Sequence, residues 1–190
     1  IRAPSRSHDR PHVVQVMGRN CGDIAMKTAM ATGAEMLIVP EVEWDVDEVA
    51  ARLNCLIEQG NTRATLVISE HCWDNMKPFD WRKFLNNGKT VYPGEPISAE
   101  YLASILKRKC GGAEVRSTVI GYTQRGAQPT AQDSAFAFEA GHQAVQLLNR
   151  GIANQAIGIR HGRVFNMPII DALSMKKTFD REMYNLINKL

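Results

Sequence analysis

The chain has 190 residues, 44% of them hydrophobic and 23% charged, which suits one globular domain with a sizeable core and does not require a division into two. A formal net charge of +3, with no basic run beside Trp44, Trp73 or Trp81, argues against a nucleic-acid surface. No apolar run is long enough to span a membrane and no signal peptide is recognisable, so a cytoplasmic protein is expected.

The four cysteines, Cys21, Cys55, Cys72 and Cys110, form no CxxC pair, and no His lies at a zinc-ligand offset from them. They read as reduced thiols serving as small hydrophobes, and no metal site is expected. The first residues, from Ile1 to Ser7, read as the interior of a longer protein.

Residues 1 to 11 carry Pro, Ser and Arg and read as an arm. Val13 to Met17 is a β-branched run closed by Gly18, a buried strand. Asp23 to Thr32, rich in Ala and Met, reads as a helix stopped by Gly33. Met36 to Val39 is a second strand, closed by Pro40. Asp45 starts a helix with Val46, Val49, Leu53, Leu56 and Ile57 at helical spacing, ended by Gly60. Thr65 to Ile68 is a third strand.

Residues 73 to 97 carry Pro78, Pro93 and Pro96 and read as a surface insertion with a helical turn at Trp81 to Leu85. Ser98 caps a helix through Lys109. Val115 to Ile120 is a fourth strand, followed by a glycine-bearing loop to Pro129. A long helix begins at Thr130 or Gln132 and ends at Gly151. His161–Gly162 joins a hairpin, and 168 to 174 and 178 to 189 read as helical. Strands alternating with helices predict an α/β fold: Rossmann-like, three-layer αβα, with a mainly parallel sheet.

In such sheets ligands bind beyond the carboxyl ends of the strands. After the first strand, Gly18, Arg19 and Gly22 precede a helix start. Backbone amides and the helix dipole there suit an anion, although an ordinary tight turn uses glycine in the same way. After the third strand, Glu70 can accept hydrogen bonds from sugar hydroxyls, or cap a helix. The fourth strand brings Arg116 and then Arg125, and Arg10 precedes the first strand. The planar fork of Arg suits phosphate; a surface ion pair is the plainer reading of Arg125, while an unpaired Arg116 buried in a strand would be costly. Together these suit a phosphorylated sugar or polyol. The five histidines lie in no catalytic frame, and His142 reads as structural on its helix.

Val13–Val14–Gln15–Val16–Met17–Gly18–Arg19–Asn20–Cys21–Gly22–Asp23 resembles the VVEVMGRxCGD segment of the bacterial-type 6-phosphofructokinases. Ser69–Glu70–His71, the run Arg116–Ser117–Thr118–Val119–Ile120–Gly121–Tyr122–Thr123–Gln124–Arg125–Gly126 (similar to RATVLGHxQRGG) and Ile169–Ile170–Asp171–Ala172–Leu173 follow in the family's order.

The resemblance implies that 1–190 is the fructose 6-phosphate-binding half of that fold. Met17, Gly18 and Arg19 match the segment at the sugar's reacting end, with Arg19 catalytic through charge stabilisation. Glu70 matches the carboxylate holding sugar hydroxyls. Tyr122 and Arg125 match the 6-phosphate clamp, while Arg10 and Arg116 match arginines that reach a neighbouring subunit's site. A homo-oligomer, commonly a tetramer, is implied. Arg2, Gly33 and Glu35 match an effector site whose facing loop, Gln59 to Arg63, lacks most of its cations, so effector control is expected to be weak.

Two positions depart from the family pattern: Tyr122 stands for His and Ala127 for Gly. The family's GGDGS nucleotide loop and TxD segment with its aspartate do not occur, so the Mg-ATP site belongs to an N-terminal nucleotide-binding half outside this sequence, and the chain alone is expected to be inactive. A pyrophosphate-dependent enzyme and a non-catalytic sugar-phosphate sensor are the alternatives. A transcription-regulator ligand domain, similar only in fold, leaves the MGR and QRG motifs unexplained.

Overall fold

A computed structural model describes residues 8–80, 97–176 and 178–189. Arg2 and the helical turn expected at Trp81 to Leu85 lie outside these residues. The chain divides into two compact units, Ile1–Arg125 with Phe179–Leu190, and Gly126–Thr178. The reading as one domain therefore needs this division added to it.

Among the described residues, the first unit contains the strands β1 (His12–Val16), β2 (Met36–Ile38), β3 (Thr65–Ser69) and β4 (Arg116–Val119) and the α-helices α1 (Asp23–Thr32), α2 (Val46–Glu58), α3 (Ala99–Lys109) and α6 (Arg181–Ile187). The strands pair in the order β2-β3-β1-β4, and every pair is parallel. The three-layer expectation is met through the period of two along each strand. Val13, Met36, Ile38, Leu66 and Ile68 face one core with α2 and α3. Val14, Val16, Leu37, Val39 and Val67 face the other with α1 and α6. Leu102, Ile105 and Leu106 of α3 are fully buried, each contributing roughly 1.5–3 kcal/mol of apolar transfer free energy.

The helix ends follow the predicted signals. Asp45 accepts the Asp47 amide at 2.7 Å and caps α2. Gly33 closes α1 at φ 61°, in the left-handed region that favours glycine. Ser98 is the N-cap of α3 by position, but its side chain makes no capping hydrogen bond. The open edge of β2 is covered by a side chain: Asn188 accepts from the Leu37 amide at 2.9 Å and donates to the Leu37 carbonyl at 3.1 Å, as a neighbouring strand would. Cys72 and Cys110 are buried, as expected of reduced thiols, whereas Cys21 is half-buried and Cys55 exposed.

The second unit contains α4 (Ala131–Asn149), the antiparallel hairpin of β5 (Gln155–Arg160) and β6 (Arg163–Pro168), and α5 (Ile169–Ser174). Thr130 opens α4 through a capping box: its hydroxyl accepts the Asp133 amide, and the Asp133 carboxylate accepts the Thr130 amide. Gln143 donates to Asn166, which donates to Gln155, linking α4 to both strands. His142 lies on α4, as expected, with its side chain exposed.

Candidate functional site

β1 lies between β3 and β4, so the turn that follows it is reached from both sides. From the β3 side, Glu70 Oε1 accepts the Gly18 amide at 3.1 Å and the Arg19 amide at 2.6 Å. From the β4 side, Gln124, in a short 3-10 turn over Gly121–Arg125, accepts the Met17 amide at 3.1 Å. Three successive amides are thus held by two side chains from the flanking strand ends. Glu41 completes the clamp, both of its carboxylate oxygens accepting the Gly22 amide at the start of α1, at 2.8 and 3.0 Å.

Of the two readings of this segment, an anion site and an ordinary tight turn, these internal hydrogen bonds belong to the second. The favourable position for negative charge at the helix start is real. It is taken by the protein's own carboxylates, so an incoming anion relies on side chains. The turn leaves no room for a larger residue at Gly18, where a Cβ would stand 2.4 Å from the Cys21 carbonyl oxygen and 2.7 Å from Ser69 Oγ. Arg19 and His71 adopt left-handed backbone at φ 49° and 60°. Such conformations cost about 1–2 kcal/mol in a non-glycine residue and cluster at functional turns.

The two amides, Gly18 first and Arg19 second, hold the Glu70 carboxyl below the usual carboxylate range, with smaller help from His71 and Arg125. Among the described residues, no donor reaches its second oxygen, Oε2. The Arg19 side chain is exposed. Arg125 lies over the Tyr122 ring at 5.8 Å, and Tyr122 is 82% exposed. Met17, Gly18, Arg19, Glu70, Tyr122 and Arg125 therefore share the carboxyl edge of the sheet.

Arg10 and Arg116 do not. They stand at the amino ends of β1 and β4, and five residues of strand separate the two edges by roughly 16 Å. Arg116 is exposed on an edge strand and paired with Glu114, so the costly buried charge expected from its place in a strand does not arise. Gly33 serves as the cap of α1, and the Glu35 carboxylate accepts the Thr65 amide at 2.7 Å and the Asn61 side chain at 3.3 Å. Gln124, Glu41 and Glu114 were not singled out from the sequence. The only sequence signal for them was the place of Gln124 inside the QRG motif.

The family model described as phosphofructokinase matches residues 1–148. The ATP-dependent 6-phosphofructokinase of Clostridioides difficile is 38% identical over 98% of this chain and 50% of its own length. The ATP-dependent 6-phosphofructokinase 1 of Clostridium perfringens is 35% identical over 100% of this chain and 52% of its own. Among solved structures, Saccharomyces cerevisiae phosphofructokinase superposes with a TM-score of 0.67 at 25% identity, covering 90% of this chain and 21% of that one. The pyrophosphate-dependent phosphofructokinase of Nitrosospira multiformis does so with a TM-score of 0.72 at 19% identity, covering 94% and 45%, a likeness of fold alone. The chain spans about half the length of the curated relatives it matches. With the motifs in order and a family model matched over most of its length, this chain belongs to the phosphofructokinase family.

Proposed function

We propose that this chain supplies the fructose 6-phosphate-binding part of a cytoplasmic, ATP-dependent 6-phosphofructokinase, which transfers a phosphoryl group to the sugar's 1-hydroxyl. The observation that carries this reading is the clamped Met17–Gly18–Arg19 turn, with Glu70 and Arg125 beside it. Glu70 spends one oxygen on the turn and offers the other to a sugar hydroxyl. Like any Glu it is an acceptor at neutral pH, and the two amides extend that state further into acid. Arg19 is placed to offset negative charge as the phosphoryl group moves. Arg125 and Tyr122 meet the 6-phosphate.

The same reading gives Arg10 and Arg116 to a neighbouring copy in a homo-oligomer, a tetramer by family pattern. Their place at the far edge of the sheet supports this, because they cannot join Glu70 in one sugar site. Arg2, Gly33 and Glu35 make a weak effector site at most, since Gly33 and the Glu35 carboxylate already serve the fold.

The Mg-ATP site is assigned elsewhere because the sequence carries no GGDGS nucleotide loop and no TxD segment. The nucleotide site, and with it turnover, belongs to the further length that the relatives possess. ATP is favoured over pyrophosphate because the relatives at 38% and 35% identity are named ATP-dependent, while the pyrophosphate-dependent neighbour at 19% shares only the fold.

Thermal-shift measurements with fructose 6-phosphate, fructose and inorganic phosphate test the substrate class. Stabilisation by the sugar phosphate well beyond that by either component is expected. Equal shifts with all three would contradict it.

A further inference from the structure

At the amino edge of the sheet, three charged side chains meet at a point fixed by strand register. His12 pairs with Arg116 in the parallel β1–β4 ladder, and the Arg116 amide donates to the Pro11 carbonyl at 2.9 Å. Arg10 and Glu114 each stand two residues before these paired positions, in the segments that lead into β1 and β4, and the Val115 amide donates to the Ala113 carbonyl at 2.8 Å, closing a tight turn at Glu114. One carboxylate oxygen receives both: Glu114 Oε2 lies 2.6 Å from Arg10 Nη2 and 3.4 Å from Arg116 Nη2.

The Arg10, Glu114 and Arg116 side chains are 33%, 46% and 56% exposed. Ion pairs this wet contribute little to stability, so folding alone gives no strong reason for the trio. Geometry gives a better one. Two guanidinium groups repel, and each sits on a long side chain with many rotamers. A carboxylate between them gathers both at one place. The trio keeps one net positive charge, and each guanidinium keeps further N–H donors beyond its Nη2 for an anion with several oxygens.

We propose that Glu114 is a positioning residue: it gathers Arg10 and Arg116 into one fork that receives a phosphate group, the 6-phosphate of a sugar held by a neighbouring copy. The identity of the phosphate rests on the function proposed above; the fork itself rests on the register and the two contacts. The sign of its effect opposes simple charge counting. Removing a negative charge beside two cations should tighten phosphate binding by attraction alone, whereas loss of a preorganised fork weakens it.

The test is a titration of the isotope-labelled chain with inorganic phosphate, following the Nε–Hε signals of the two arginines, beside Glu114→Gln, Glu114→Asp and Arg116→Ala. Saturable shifts are expected in the wild type, weakened roughly five- to tenfold in Glu114→Gln and largely recovered in Glu114→Asp. The thermal midpoints of the two Glu114 variants are expected to stay at the wild-type value, which separates positioning from folding. If Arg116→Ala abolishes the shifts while Glu114→Gln binds as well as wild type or better, the role of Glu114 is overturned and the arginine pair stands. If the wild type shows no saturable shift, or Arg116→Ala binds unchanged, the phosphate reading of the arginine pair is overturned and that of Glu114 with it.

Discussion

Glu70 reaches from the end of β3 to the turn after β1, where its Oε1 accepts the Arg19 amide at 2.6 Å and the Gly18 amide at 3.1 Å. One carboxylate oxygen fixes the backbone of the residue proposed to stabilise the transferring phosphoryl group, and the other is the one proposed to meet the sugar.

Replacing Glu70 separates the two tasks. Glu70→Ala removes both, freeing the Gly18 and Arg19 amides, and is expected to lower fructose 6-phosphate affinity more than tenfold. It should cost about 1–2 kcal/mol of stability, reduced from the usual worth of charged hydrogen bonds because the site is partly solvated. Glu70→Gln keeps one acceptor oxygen for the turn and should retain most of that stability while still losing affinity. Calorimetric titration with chemical denaturation of each variant checks both effects. Equal affinity in Glu70→Gln and the wild type would remove Glu70 from the sugar site.

The same hydrogen bonds set a pH dependence. The folded state holds the Glu70 carboxyl below its unfolded value, so the unfolded chain binds the proton more readily as pH falls. The stabilisation is complete above the ordinary Glu pKa of about 4.3 and is lost as pH drops through that value and then the lower folded one. Denaturation midpoints of wild type and Glu70→Gln should be furthest apart near neutrality and converge in acid. A gap that widened in acid would have the wrong sign.

Gly18→Ala tests the crowding of the turn. The added Cβ would meet backbone oxygen at 2.4 Å, a contact that a side-chain rotation cannot relieve. The turn must move, and Arg19 with it. A stability loss of about 1–3 kcal/mol, typical of overpacking, is expected together with weakened sugar-phosphate binding. Unchanged binding in a folded Gly18→Ala protein would show that the turn does not touch the ligand.

Tyr122→His adds a titratable cation beside Arg125. Its affinity for fructose 6-phosphate should exceed the wild type's by roughly threefold or more below pH 6.5, where an ordinary imidazole is charged, and approach it at pH 8. A pH-independent difference would place residue 122 away from the phosphate.

Much of the fold was legible because local chemistry marks the element ends: the left-handed Gly33, the capping Asp45 and the Thr130 and Asp133 pair each lie within a few residues of what they terminate. Glu70 and Arg125 stood out as polar groups at strand ends. The clamp did not. Glu41 and Glu70 act on amides 19 and 52 residues away, and Gln124 on one 107 residues away, and such pairings depend on strand order rather than periodicity. For the same reason the sequence left the turn open between an anion site and an ordinary tight turn. Glu114 was hidden likewise, since it meets Arg10 only through the β1–β4 register. The division at Gly126 leaves no shift in composition to find.

The most direct measurement is a calorimetric titration of the chain with fructose 6-phosphate at several protein concentrations, beside Arg125→Ala. Saturable heat that Arg125→Ala loses, with affinity rising as protein concentration rises, is the expected result. It would place the sugar-phosphate site at the carboxyl edge of this sheet, completed by a second copy. Wild-type binding that Arg125→Ala leaves intact, or no binding at any concentration, would contradict the claim that these residues form the site.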